Sequence, residues 1–250
     1  MIPNSFPIGP LTIHIYGLII AIAILLGWTI AKKRALSYKI KADLFDDPLL
    51  LLPFIFGIVG GRLYHVIDKW DFYSQNPNQI FAITNGGLGI FGALAGVFIG
   101  FWFVAKIKKV DFLKLLDLIS PALILGQAIG RIGNFINQEG FGPPTNLPWG
   151  VAIDPAHRPG QYLFSTHFHP TFFYEAILEV LAFIVLIKMS SKLKLPGQTF
   201  GLYLVLYALS RAVAEYWRID TAKIGEIKVA YILAFLSLIF GIYLVKRREN

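Results

Sequence analysis

Residues 11–31 read L-T-I-H-I-Y-G-L-I-I-A-I-A-I-L-L-G-W-T-I-A, without one Asp, Glu, Lys or Arg, and Lys32-Lys33-Arg34 follow at once. A run of this length matches the ~20 residues that a helix needs to cross a hydrocarbon core of about 30 Å. No basic segment precedes it and no small-residue cleavage pattern closes it, so it is expected to remain as an anchor and not to be removed as a signal peptide. Six further stretches are also strongly apolar, with few charged residues or none: 48–66, 86–105, 112–133, 170–187, 199–217 and 229–245. The expected fold class is all-α, a polytopic membrane protein with about seven transmembrane helices.

Composition agrees with that reading. Charged residues are 15% of the chain, against roughly 25% in an ordinary soluble protein, and apolar residues are 56%. Lys and Arg gather in alternate connections: Lys32, Lys33, Arg34, Lys39 and Lys41; Lys106, Lys108, Lys109 and Lys114; Lys188, Lys192 and Lys194; Lys246, Arg247 and Arg248. The opposite connections hold only Lys69, Arg158, Arg218, Lys223 and Lys228. Basic loops stay in the cytoplasm, so the amino terminus is expected outside and the carboxyl terminus inside. The net charge of +8 is then a rim facing anionic headgroups and gives no reason to expect a nucleic-acid partner.

No polar linker interrupts the chain, and residues 1–250 read as one membrane-embedded domain. The longest non-helical piece, about 137–169, is rich in Gly, Pro and aromatic residues and is expected to form an outer head lying on the outer leaflet. There is no cysteine, which excludes disulfides, thiolate metal sites and a cysteine-bound intermediate. Any thiol in the chemistry must come with a substrate. Gly92, Gly96 and Gly100 recur at the four-residue interval of close transmembrane helix packing. Asn85-Gly86-Gly87-Leu88-Gly89, ahead of that helix, could instead offer backbone N–H groups to an anion.

A charged side chain costs from about 2.5 to more than 10 kcal/mol at the middle of a bilayer and persists only with partners. Three arginines stand in or at the edge of apolar spans: Arg62, Arg131 and Arg211. One lone arginine snorkels to the interface; three toward one side call for another account. Tyr207, Arg211, Glu215 and Arg218 are spaced four, four and three apart, which puts them on one helical face. Arg131, Asn134 and Gln138 share a face if helix persists that far, with Glu139 adjoining. The set reads as a polar cavity toward the outer leaflet with more arginine than its own carboxylates require, the lining expected for a phosphate-bearing ligand. His14, His65, His157, His167 and His169 lie near membrane edges or in the head, and their spacing offers no third metal ligand beside His167 and His169, so no metal and no cofactor are expected.

G-R-I-G-N-F-I-N-Q-E-G-F-G, residues 130–142, closely resembles the signature of the prolipoprotein diacylglyceryl transferases of bacterial inner membranes. Ile15-Tyr16-Gly17, Gly61-Arg62-Leu63, Gly86-Gly87-Leu88, His169-Pro170 with Tyr174-Glu175, and the stripe from Tyr207 to Arg218 are similar to further motifs of that family along nearly the whole chain. The resemblance implies transfer of the diacylglyceryl group of phosphatidylglycerol to the lipobox cysteine thiol behind the signal peptide of a preprolipoprotein, with glycerol 1-phosphate released. It implies Arg131 and Arg211 as the groups that neutralise the departing phosphate, with Arg218 and Arg62 behind them.

Asn134, Asn137, Glu139, Gly142, Tyr207, Gly86, Gly87 and His14 are then expected around the headgroup. The acceptor thiol, with an ordinary pKa of about 8.5, must become a thiolate. Many members carry a histidine after Gly-Gly-Leu; here Phe91 stands in its place. The base is left open among Glu139, Glu215, Tyr16 and His14. A transporter of a phosphorylated solute or lipid is the alternative, but it calls for repeated halves and polar residues about the midplane. A metal-dependent headgroup enzyme calls for clustered aspartates, and Asp43, Asp46 and Asp47 fit a cytoplasmic loop or helix cap instead.

Overall fold

The structure is a computed structural model that describes residues 5–8, 11–83 and 86–247. Asn85 of the glycine-rich stretch and Arg248 of the basic rim lie outside them. Every expected span overlaps a helix over most of its length: α1 Ile15–Arg34, α2 Leu52–Asp68, α4 Ile90–Lys108, α5 Phe112–Asn137, α6 Thr171–Met189, α7 Gln198–Trp217 and α8 Val229–Val245, with a short α3 Trp70–Gln75 after α2. Four of them, α1, α2, α4 and α5, meet the length and composition of a membrane crossing, and α8 is a shorter apolar helix. The chain is an all-α polytopic membrane protein.

The first span begins later than expected. Residues before Ile15 form a hairpin, β1 Ser5–Ile8 with β2 Leu11–His14, in which Ser5 pairs with His14. Thr12 and Ile13 are β-branched and favour extended backbone. Two smaller hairpins, β3 Val151–Ala152 with β4 His167–Phe168 and β5 Lys223–Ile224 with β6 Ile227–Lys228, lie in connections.

The described residues fall into two compact units, one made of those up to Ala31 and those from Leu116 onward, the other of Lys32–Leu115. In the second unit α2 packs against α4 through glycines. A Cβ on Gly96 would overlap the Phe56 carbonyl, one on Gly92 the Gly60 carbonyl, and one on Gly100 the backbone of Pro53. The four-residue glycine spacing therefore serves backbone-to-backbone contact, as transmembrane packing requires. Lys32 pairs with Asp46 at 2.5 Å and Lys108 with Asp47 at the helix ends. The Lys108 hydrogen bond, helped by the Leu49 N–H, holds the Asp47 carboxyl below its ordinary range.

In the first unit Gly27 of α1 lies against Ala122 of α5. Ile124, Ala182, Leu186 and Tyr203 form a buried layer joining α5, α6 and α7. Asp117 of α5 fixes the start of α7: its carboxylate accepts from Gly197 N and Phe200 N, each at 2.7 Å. The cap residue Gly197 has no side chain to do this, and the first amides of a helix otherwise lack acceptors. Replacing Asp117 by Ala is expected to cost about 2–3 kcal/mol, the scale of charge-assisted hydrogen bonds lost from a buried site. It should appear as a lower thermal midpoint of the detergent-solubilised protein with the helical signal otherwise unchanged.

The segment between α5 and α6 is a packed head with its own core, Phe141, Ile153, Phe168 and Phe172, against which Phe135 and Tyr162 lie. Gln138 and Asp154 clip it reciprocally: Asp154 N donates to Gln138 Oε1 at 2.6 Å, and Gln138 Nε2 donates to Asp154 Oδ2 at 2.8 Å. Arg158 braces it from within by donating to the carbonyls of Ile153 and Leu163.

Candidate active site

About two turns along α5 from the apolar layer, roughly 10 Å of helical rise, α5, α6 and α7 bring five charged side chains together. Arg131 Nη2 donates to Glu175 Oε1 at 2.7 Å. Arg211 Nη1 reaches both oxygens of the same carboxylate at 3.2 Å. Arg211 Nη2 bonds Glu215, one turn on along α7. Glu179, one turn beyond Glu175 on α6, has Oε1 3.5 Å from Arg131 Nη2. Glu175, Glu179 and Glu215 are 1%, 0% and 0% exposed, Arg131 and Arg211 18% and 13%.

Two arginines thus face three glutamates, which reverses the expected surplus of arginine. Glu175 and Glu179 were missed as site residues. Their signal was available, two carboxylates four apart in an apolar span, a spacing that puts both on one helical face. What the sequence hides is that α6 turns this face to Arg131 and Arg211. Lys228, at the foot of α8, adds a cation: its Nζ donates to the carbonyls of Glu215 and Arg218 at 2.6 and 2.8 Å and stands 3.9 Å from Glu215 Oε1. Desolvation pulls this ammonium below its ordinary pKa, with Glu215 opposing.

A second group adjoins the first through Asn134. Arg131 Nη1 lies 3.5 Å from Asn134 Oδ1, Asn134 Nδ2 donates to Glu139 Oε1 at 3.0 Å, and Asn137 Nδ2 donates to the same oxygen at 3.4 Å. Glu139 is exposed. The Tyr16 ring lies on α5 where a Cβ at Gly133 would stand, and His14 is exposed on β2. Tyr207, one turn before Arg211, stacks on Tyr203 at 6.2 Å between ring centres. Arg131, Asn134, Asn137, Glu139, Arg211 and Glu215 are therefore brought into linked networks.

Other expected members stand apart from these two groups. Gln138 leaves the helical face because its backbone is left-handed, φ 54°, and it serves the head clip instead. Arg218 does not continue the α7 stripe. It is the first residue past the helix, in extended backbone, and its Nε pairs with Asp220 Oδ1 at 3.2 Å, while Asp220 Oδ2 accepts from Gly140 N at 2.7 Å. Gly142 is closely packed: its N–H donates to His169 O at 2.8 Å, and a Cβ would press on His169, Thr171 and the Trp217 carbonyl.

In the other unit Arg62 is buried and spends its guanidinium on backbone carbonyls, those of Ile80, Gly86, Gly87, Gln79 and Ala82. Gly86 and Gly87, both at positive φ, turn carbonyls to Arg62, and Gly86 N is bonded to Ile83 O. Phe91, at the position where the family resemblance leads one to expect histidine, stacks edge-on to Tyr64 at 5.9 Å.

Two comparisons bear on this arrangement. The model of the family described as prolipoprotein diacylglyceryl transferase matches residues 3–247. The chain belongs to that family. The phosphatidylglycerol–prolipoprotein diacylglyceryl transferase of Acaryochloris marina is 39% identical to it, over 98% of this chain and 92% of the relative. Those of Finegoldia magna and Staphylococcus aureus are 37% and 38% identical, over 96% and 99% of this chain and 93% and 89% of the relatives. For a diacylglyceryl transferase family member the five-residue network is apt, since arginine forks that hold a carboxylate have the geometry to hold a phosphate.

Proposed function

We propose that this protein is a transferase that moves the diacylglyceryl group of phosphatidylglycerol onto the lipobox cysteine of preprolipoproteins. The cysteine sulfur forms a thioether with the terminal glycerol carbon of the diacylglyceryl group. The bond from that carbon to the phosphate oxygen breaks, and its electron pair leaves with glycerol 1-phosphate. The observation that carries this reading is the family match through residues 3–247, together with Arg131 and Arg211 meeting on one carboxylate.

In this reading Arg131 and Arg211 take the charge that develops on the departing phosphate, as preorganised donors do in a site shut from water. Tyr207 and Glu215 set the position of Arg211. Asn134 and Asn137 orient Glu139, which is the candidate to accept the thiol proton: among Glu139, Glu215, Tyr16 and His14 it is the exposed carboxylate hydrogen-bonded to a neighbour of Arg131. Tyr16 and His14 flank the headgroup. Arg62, Gly86 and Gly87 shape the loop before α4, and Arg218 and Gly142 fix the head to the ends of α7 and α6. No metal or cofactor takes part in the scheme.

The same proposal places the protein in the bacterial inner membrane with seven crossing helices, amino terminus outside, carboxyl terminus in the cytoplasm and the active site toward the outer leaflet. The basic residues at the ends of α1, α4 and α8 support it. It treats 1–250 as one enzyme domain with an outer head at about 137–169, a reading supported by a family match that runs through both units. The test is direct. Purified protein with phosphatidylglycerol labelled in its acyl chains should label a lipobox peptide but not its Cys→Ser counterpart, and one glycerol 1-phosphate should appear per thioether. Release of glycerol phosphate without labelled peptide would overturn the assignment.

A further inference from the structure

The two arginines assigned to the substrate phosphate already share an anion. Glu175 is 1% exposed and is the carboxylate, among the described residues, that pairs with both: Oε1 lies 2.7 Å from Arg131 and 3.2 Å from Arg211. Glu215 pairs with Arg211 and with Lys228, and Glu179 reaches Arg131 without an aligned hydrogen bond. With Lys228 beside Glu215, three cations face three carboxylates, so the cluster holds no surplus positive charge for an anionic phosphodiester. An arginine–carboxylate contact must therefore loosen before phosphate can take its place. Arg131 retains donor capacity for the exchange, since its buried Nε has no acceptor among the described residues.

We propose that Glu175 is a built-in stand-in for the substrate phosphate. It holds Arg131 and Arg211 at a spacing that one anion can bridge, yields when the phosphodiester binds, and returns to the arginines to displace glycerol phosphate. It is a positioning residue that also sets product release, and this rests on the assignment of Arg131 and Arg211 to phosphate. A guanidinium left between two competing anions binds each more weakly than it would bind one alone. Removing the internal competitor strengthens the external one, whereas a carboxylate that only braces the helices has the opposite effect when lost.

The test compares wild type with Glu175→Gln, which keeps the shape and removes the charge, in full-length protein in mixed micelles. Glycerol 1-phosphate is expected to inhibit the variant about tenfold more strongly, on the scale of one charge-assisted hydrogen bond. The KM for phosphatidylglycerol should fall and kcat should fall with it. Weaker product inhibition together with a raised KM would overturn the proposal and leave Glu175 a brace. Where Glu175→Gln does not fold, Glu175→Asp, whose shorter side chain cannot span both guanidiniums, carries the same expectation, and unchanged or weaker inhibition by glycerol 1-phosphate overturns it. Arg131→Lys and Arg211→Lys are measured alongside. If neither alters KM or inhibition, the phosphate assignment itself falls; if they weaken inhibition while the Glu175 variants do so too, only the stand-in role falls.

Discussion

Arg211→Ala is expected to reduce transfer by at least about 10²–10³-fold, the loss seen when a preorganised donor to a developing oxyanion is removed. Its guanidinium meets Glu175 and Glu215 at once. Deletion therefore also leaves two buried carboxylates short of a counter-ion, at a cost of about 3–5 kcal/mol for a broken buried pair. Arg211→Lys separates the two effects. Lysine restores charge but not the planar fork that spans two acceptors, so its thermal midpoint should recover more than its rate. The measurement is thioether formation per folded molecule, with detergent-extracted protein sorted by size exclusion before assay. A Lys variant that recovers stability and rate in equal proportion would show that charge alone is needed.

Gly96→Leu is expected to abolish accumulation of folded protein. The Gly96 Cα faces the Phe56 carbonyl so closely that even a Cβ overlaps it. The obstacle is backbone and cannot rotate away, so α2 and α4 must separate along the seam they share at Gly60, Gly92 and Gly100. In lipid, where apolar surface gives no drive for helices to associate, that close contact is the main source of attraction between the two. Gly126→Ala provides the control. A Cβ there meets open space, and helix propensity favours alanine by less than about 1 kcal/mol. Yield of monodisperse protein and resistance to limited proteolysis should collapse for Gly96→Leu and hold for Gly126→Ala.

Much of this was legible in the sequence because the bilayer simplifies the physics. A run such as 229–245, without charge, has few other fates than a helix, and α8 occupies those residues. Arg131 and Arg211 stood out because charge amid such runs demands a reason. What stayed hidden depends on neighbours. Arg62 looked like its two counterparts, and only the loop from Gln79 to Gly87 reveals that its donors end on carbonyls. Gln138 left its face because one residue entered left-handed backbone. The surplus of positive charge vanished because Glu175 and Glu179 sit on a different helix from the arginines they meet.

That last arrangement bears on how the chain comes together after synthesis. α7 carries Arg211 and Glu215 one turn apart and so has its cation already matched within the helix. α5 and α6 do not: one brings Arg131, the other two carboxyls, and neither finds its complement within its own turns. Their docking is thus a neutralisation reaction, and the polar seam of Arg131, Glu175 and Glu179 is also an adhesive between apolar helices.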